Sequence, residues 1–90
     1  MVVIAGPARK QLRKVPRHVV SKLMLWVDAV ETSGLEQVRR VPGFHDEPVR
    51  GPRQGQRSIR LSRSYRAFYV VDEDDAVEFV RIEEVNKHVY

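Results

Sequence analysis

Residues 51–71 read GPRQGQRSIRLSRSYRAFYVV, and their pattern decides the fold. From Gln56 to Arg63 the residues alternate, with Ile59 and Leu61 on one parity and Ser58, Arg60 and Ser62 on the other. That is the signature of a strand buried on one face. Tyr65 to Val71 is apolar on both parities, as expected of a central strand. Together the two segments predict a hairpin carrying Arg53, Arg57, Arg60, Arg63 and Arg66. Five arginines on one hairpin call for an anionic partner or a large solvated face.

Working outward toward the N-terminus, Val2 to Ala5 is an apolar run long enough for one strand. Pro7 suits the first turn of a helix, where its missing N–H costs nothing. A short basic helix is expected to Val15, with Leu12 and Val15 facing in. Pro16 interrupts it and opens a second helix. There Val19, Val20, Leu23, Met24, Val27 and Val30 recur every three or four residues, a core-facing stripe with Trp26 at its edge. Gly34 closes that helix. A further helical turn is expected over Leu35 to Val41, and then a loop, GFHDEPVRG.

Toward the C-terminus, Asp72 to Asp75 reads as an acidic turn. Ala76 to Val85 reads as a third strand, with Phe79 on one face and Val80 and Ile82 on the other. The expected architecture is one α+β domain over residues 1–90. It has a small antiparallel sheet with two N-terminal helices packed on one face, in the order β-α-α-β-β-β. The face left uncovered is where outward arginines would lie.

Charge sharpens this picture. Residues 1–71 hold 14 basic and five acidic side chains, a balance of +9, whereas residues 72–90 hold two and seven, a balance of −5, which together make +4. Twelve of the 16 basic residues are arginine, the type suited to bidentate phosphate contacts and to stacking on bases. A basic patch of this kind gathers nucleic acid by steering and counterion release. The absence of cysteine excludes disulfides and thiolate metal sites. No apolar run approaches the roughly 20 residues of a membrane span, and no signal peptide is recognisable, so the expected location is the cytoplasm.

Motifs for nucleotide binding, zinc proteolysis and a serine nucleophile are missing, and His18, His45 and His88 are too scattered to predict a metal site. What remains is arginine beside acid–base groups: His45, Asp46, Glu47, His88, Tyr65, Tyr69 and Tyr90. That set suffices for RNA cleavage without a metal or other cofactor. The substrate's 2′-OH is the nucleophile, so the protein need supply only a base, a cation over the phosphate and an acid for the leaving 5′-oxygen. The same groups also fit a solvated rim.

EPVRG at 47–51, GQRSIRL at 55–61, SYRAFYVV at 64–71 and a terminal HVY occur in an order that resembles the RelE/ParE superfamily of bacterial toxins. The likeness spans nearly the whole chain and is strongest to the RelE, YoeB and HigB branch of mRNA interferases. It implies a toxin that enters the ribosomal A site, cuts mRNA there without a metal, and is silenced by a cognate antitoxin. Operator DNA would be reached only through that antitoxin, and no membrane is involved.

By the same resemblance, the phosphate-contacting arginine of the strand motif falls on Arg66 and the general base on Glu47. The leaving-group acid falls on His88 or Tyr90, and the supporting cation on Arg60. Arg50 stands where YoeB-like proteins have lysine. Arg50, Arg53, Arg57, Arg63 and Lys87 are then expected to hold RNA backbone. Arginine cannot act as a base, so proton transfer rests on Glu47, His88 or a tyrosine. The structural alternatives are an ion pair of Arg66 with Glu78 or Glu84, and of Glu47 with Arg50. Two other functions share this outline: a ParE-like inhibitor of DNA gyrase, and a non-catalytic nucleic-acid-binding module.

Overall fold

The computed structural model of the chain describes residues 1–53, 55–74 and 77–87, with Arg53 and residues 73–74 and 77–79 described as backbone alone. The elements run β1 (Val2–Ile4), α1 (Gly6–Leu12), α2 (Arg17–Ser33), α3 (Leu35–Val38), β2 (Glu47–Pro48), β3 (Arg57–Arg60), β4 (Tyr65–Asp74) and β5 (Val77–Lys87). Short 3-10 turns at Pro42–Phe44 and Gly51–Arg53 flank β2. The α+β class is as expected, with helices set against one sheet.

The sheet has five strands in the order β1-β5-β4-β3-β2. Its pairs are antiparallel except β1 with β5, which run parallel, Val2 opposite Val80 and Ile4 opposite Ile82. The antiparallel strands after the helices are as expected, and the parallel docking of β1 is added to them. The N-terminal strand, entered before any helix, docks on the last strand rather than beside a sequence neighbour. A bulge between Phe68 and Tyr69 shifts the β4–β5 register, so that Phe68 faces Glu84 and Tyr69 faces Ile82. Such an insertion bends the strand and increases its twist.

Each helix ends where its sequence stops supporting it. Pro7 occupies the first turn of α1, and Pro16 precedes α2. Gly34 ends α2 at φ 84°, a backbone region open to glycine, and its N–H bonds the Val30 carbonyl at 2.9 Å. The buried stripe of α2 is Val19, Leu23, Trp26 and Val30. Trp26 is therefore core rather than edge, while Met24 is 41% exposed. The 100° step of a helix carries position 24 off the face that 19, 23, 26 and 30 share.

These residues pack on Ile59, Ala67, Tyr69, Val80, Ile82 and Val85, all buried on the sheet's inner face. Full burial of each large apolar side chain contributes about 1.5–3 kcal/mol. The α1 helix lies along β5 beyond the end of β1, and there Gln11 Oε1 accepts from the Val85 N–H at 2.6 Å.

The β3–β4 hairpin closes earlier than its alternation suggests. Leu61–Ser64 form the turn, with the Ser62 hydroxyl accepting the Ser64 and Tyr65 N–H groups at 3.2 Å each. Leu61 is still buried, as its parity requires. The β4 strand runs on to Asp74, so most of the expected acidic turn is strand. Asp75, Ala76 and the Phe79 side chain lie outside the described residues.

Candidate active site

Antiparallel partners share a face, and residues two apart on a strand share one too. Arg60 pairs with Arg66, Ser58 with Phe68, and Glu47 with Ser58. Ser58, Arg60, Arg66 and Phe68 thus lie on the sheet face opposite the core, and β2 brings Glu47 to the same place. Arg66 Nη1 lies 3.2 Å from Glu47 Oε1 and donates to Ser58 Oγ at 3.1 Å. Among the described residues, its Nε and Nη2 have no partner. Glu47, Pro48, Val49, Ser58, Arg66 and Phe68 line a shallow pocket of about 240 Å³.

The pair is asymmetric. The Arg66 side chain is 17% exposed and Glu47 is 59% exposed. A half-solvated pair of this kind contributes at most about 1 kcal/mol, so an entering anion can separate it cheaply. The arginine is fixed by its strand and by Ser58, itself 3% exposed. The carboxylate sits on a two-residue strand at the rim. Among the described residues Arg66 is thus paired with Glu47, and the Glu78 side chain lies outside them.

Glu47 owes its position to the residues before it. His45 adopts a left-handed conformation at φ 47°, the one described non-glycine residue with positive φ, and so reverses the chain after the buried Phe44. Asp46 then points inward, with its side chain fully buried, and Glu47 points outward. The Asp46 carboxylate accepts from Arg57 Nε at 2.6 Å and from the Tyr69 hydroxyl. Arg39 Nε donates to the same hydroxyl at 3.4 Å. Burial pushes the Tyr69 phenol up, the bond it donates to Asp46 adds to that and Arg39 opposes it, leaving a pKa of about 12.

The other expected site residues are dispersed. Arg60 and Arg63 stand at the end of the hairpin, beside a second hollow. Arg57 has the parity of the core face and is held by Asp46, away from the Arg66 pocket. Arg50 is exposed after β2, and Lys87 is exposed at the end of β5 opposite Tyr65. His45 is exposed in the loop. His88, Tyr90 and the Arg53 side chain lie outside the described residues. The sequence assigns Ser58 no role and names Asp46 only among the possible acid–base groups, not as a buried anchor. Only the register of three strands shows Ser58 against Arg66, and only the reversal at His45 separates Asp46 from Glu47.

No family model and no curated protein matches the sequence. Solved structures do match the fold. A YoeB/ParE toxin from Agrobacterium tumefaciens superposes with a TM-score of 0.70 at 16% identity, covering 98% of each chain. YafQ from Escherichia coli BL21(DE3) gives 0.70 at 15% identity, over 97% of this chain and 91% of that one. A toxin–antitoxin complex, RelBE2 of Mycobacterium tuberculosis, gives 0.59 at 23% identity, over 98% and 96%. By its sheet order and these superpositions, the chain shares the fold of these solved toxins.

Proposed function

We propose that this chain is the toxin of a bacterial toxin–antitoxin pair and acts as a metal-independent endoribonuclease on mRNA at the ribosomal A site, in the cytoplasm. The observation that carries this reading is one pocket holding an arginine whose Nε and Nη2 have no partner among the described residues and, 3.2 Å away, a carboxylate from a different strand. In the reaction, a substrate phosphate enters between them. Glu47 takes the proton of the 2′-OH, and the 2′-oxygen bonds to phosphorus as the bond to the 5′-oxygen breaks. The products are a 2′,3′-cyclic phosphate and a 5′-hydroxyl. The departing oxygen takes its proton from His88 or Tyr90 in the tail.

Arg66 holds the charge that builds on the non-bridging oxygens, using the Nε and Nη2 donors that the described residues leave open. Arg60, its register partner, adds a second positive charge. Arg50, Arg53, Arg63 and Lys87 hold backbone away from the reacting bond. Arg57 belongs with them only if RNA can draw it from Asp46. That several structural neighbours are toxin–antitoxin complexes supports a protein inhibitor as partner.

The test is primer extension on mRNA translated in a purified system. Cuts at A-site codons with the wild-type chain, reduced at least 100-fold by Arg66→Ala, are expected for loss of the principal charge stabiliser. Intact mRNA together with gyrase-dependent DNA breaks would move the chain to the ParE-like function.

A further inference from the structure

A second hollow lies beyond the Glu47–Arg66 pocket. It measures about 440 Å³, sits between the hairpin turn, α2 and the 3-10 turn, and is lined by Lys22, Gly43, Arg60, Leu61, Ser62 and Arg63. Three of these six residues are cations, from three separate places: α2, the end of β3 and the turn. Among the described residues none of the three has a carboxylate partner. Lys22 is half-buried, its Nζ 4.8 Å from the centroid of the Phe44 ring, which fixes the stem and partly desolvates the charge. The two N–H bonds accepted by Ser62 fix the turn that presents Arg63.

Three like charges around one hollow repel, and no carboxylate among the described residues neutralises them. The arrangement is stable with water and more stable with an anion. Which anion follows from position. Arg60 is the register partner of Arg66, with Cα atoms about 4.5–5.5 Å apart as in any antiparallel pair. Arg60 thus links the hollow, which opens on the helix side of the hairpin end, to the strand that carries Arg66, and a polymer with regularly spaced charges passing round that end of the sheet can meet both. We infer that the Lys22–Arg60–Arg63 hollow is a second phosphate subsite, holding a backbone phosphate of the RNA strand next to the one at Arg66. Lys22, on a helix that is otherwise core, becomes a binding residue. The inference rests on the reading in which Arg66 takes the scissile phosphate.

The test uses the full chain and a single-stranded oligodeoxynucleotide, which carries the phosphates but lacks the 2′-OH and so is not cut. Binding is measured against salt for the wild type, Lys22→Gln, Arg63→Gln and Lys22→Arg. Each of the two glutamine variants is expected to lose roughly tenfold in affinity, as for one charge-assisted contact. Each should also flatten the log–log salt slope by about 0.7, the value for one phosphate contact on a single strand. Lys22→Arg, which keeps the charge, should retain the slope. Inorganic phosphate should shift the Gly43, Ser62 and Arg63 amide resonances of the wild type and not those of Lys22→Gln.

Unchanged slopes in both glutamine variants overturn the subsite, even if the wild type cleaves mRNA. Variant-sensitive slopes in a protein that never cleaves mRNA support the subsite and sink the nuclease reading instead. Amide shifts produced by an acidic peptide, with no oligonucleotide binding by the wild type, overturn the RNA assignment in favour of a protein ligand.

Discussion

At Arg66 the chemistry depends on how one guanidinium is aimed. Its Nη1 is taken by Ser58 and faces Glu47, so the direction of the remaining donors is set by a single buried hydroxyl. Ser58→Ala is expected to slow cleavage about 10- to 100-fold, since a displacement near 1 Å costs that much at a reacting centre. Ser58→Thr, which keeps the hydroxyl and suits a strand, should recover most of the rate. Thermal midpoints of the two variants should differ little. An alanine variant cleaving at the wild-type rate would remove Ser58 from the mechanism. Glu47→Gln keeps the side-chain shape and loses the base, so it should cost about 10²–10⁴ in rate with RNA binding retained. A glutamine variant that still cleaves would transfer the proton to the tail.

Among the elements, the two-residue β2 and the loop before it decide whether Glu47 reaches the site. The anchor is Asp46, fully buried between Arg57 and Tyr69. Asp46→Ala leaves Arg57 half-buried and unpaired and the Tyr69 hydroxyl without its acceptor. It should cost about 3 kcal/mol, read by chemical denaturation, and lower cleavage as well. Tyr69 adds a pH signature. The unfolded chain releases the phenol proton near its ordinary value of 10.0, whereas the folded chain keeps it to about 12. The unfolded state then binds fewer protons in that window, so stability is full below pH 10 and falls from pH 10 toward 12. Tyr69→Phe should be less stable at neutral pH and lack that fall. A wild type with flat stability to pH 12 would contradict the burial of this phenol.

The same loop shows what sequence can carry. The hairpin, the α2 stripe and the Gly34 stop were legible, because each is written in local periodicity or in one residue's backbone freedom. Glu47 and Arg66 were legible only as motif positions. That they meet depends on the pairing of β2 with β3 and of β3 with β4, and β2 is too short to show any alternation. The parallel docking of β1 on β5 joins residues almost 80 positions apart, with no local trace. Lys22 was hidden for a different reason: a lysine on an amphipathic helix reads as ordinary solvated surface until the hairpin end is folded against it.

Over the whole molecule, the separation of charge along the chain becomes a separation in space. Arg60, Arg63 and Arg66 lie at one end of the sheet, while Asp72 and Glu83 lie toward the other and hold Arg81 at 2.9 and 2.5 Å. Arg81 and Asn86, the partner of Arg66, are five residues apart on β5, which puts the two ends about 15 Å from each other. On the proposed function, an RNA strand would be drawn to one end and turned from the other, which would orient it before contact. Neutralising the acidic end tests this. Asp72→Asn with Glu83→Gln frees Arg81 as a new, exposed phosphate contact. Duplex DNA should then bind more tightly at low salt, with a slope steeper by about 0.9, the value per contact on a duplex. Cleavage at A-site codons should be unchanged, because neither residue reaches the Arg66 pocket. If the double variant bound duplex DNA with the wild-type slope, the acidic end would have no part in directing nucleic acid. The polarity would then serve solubility alone.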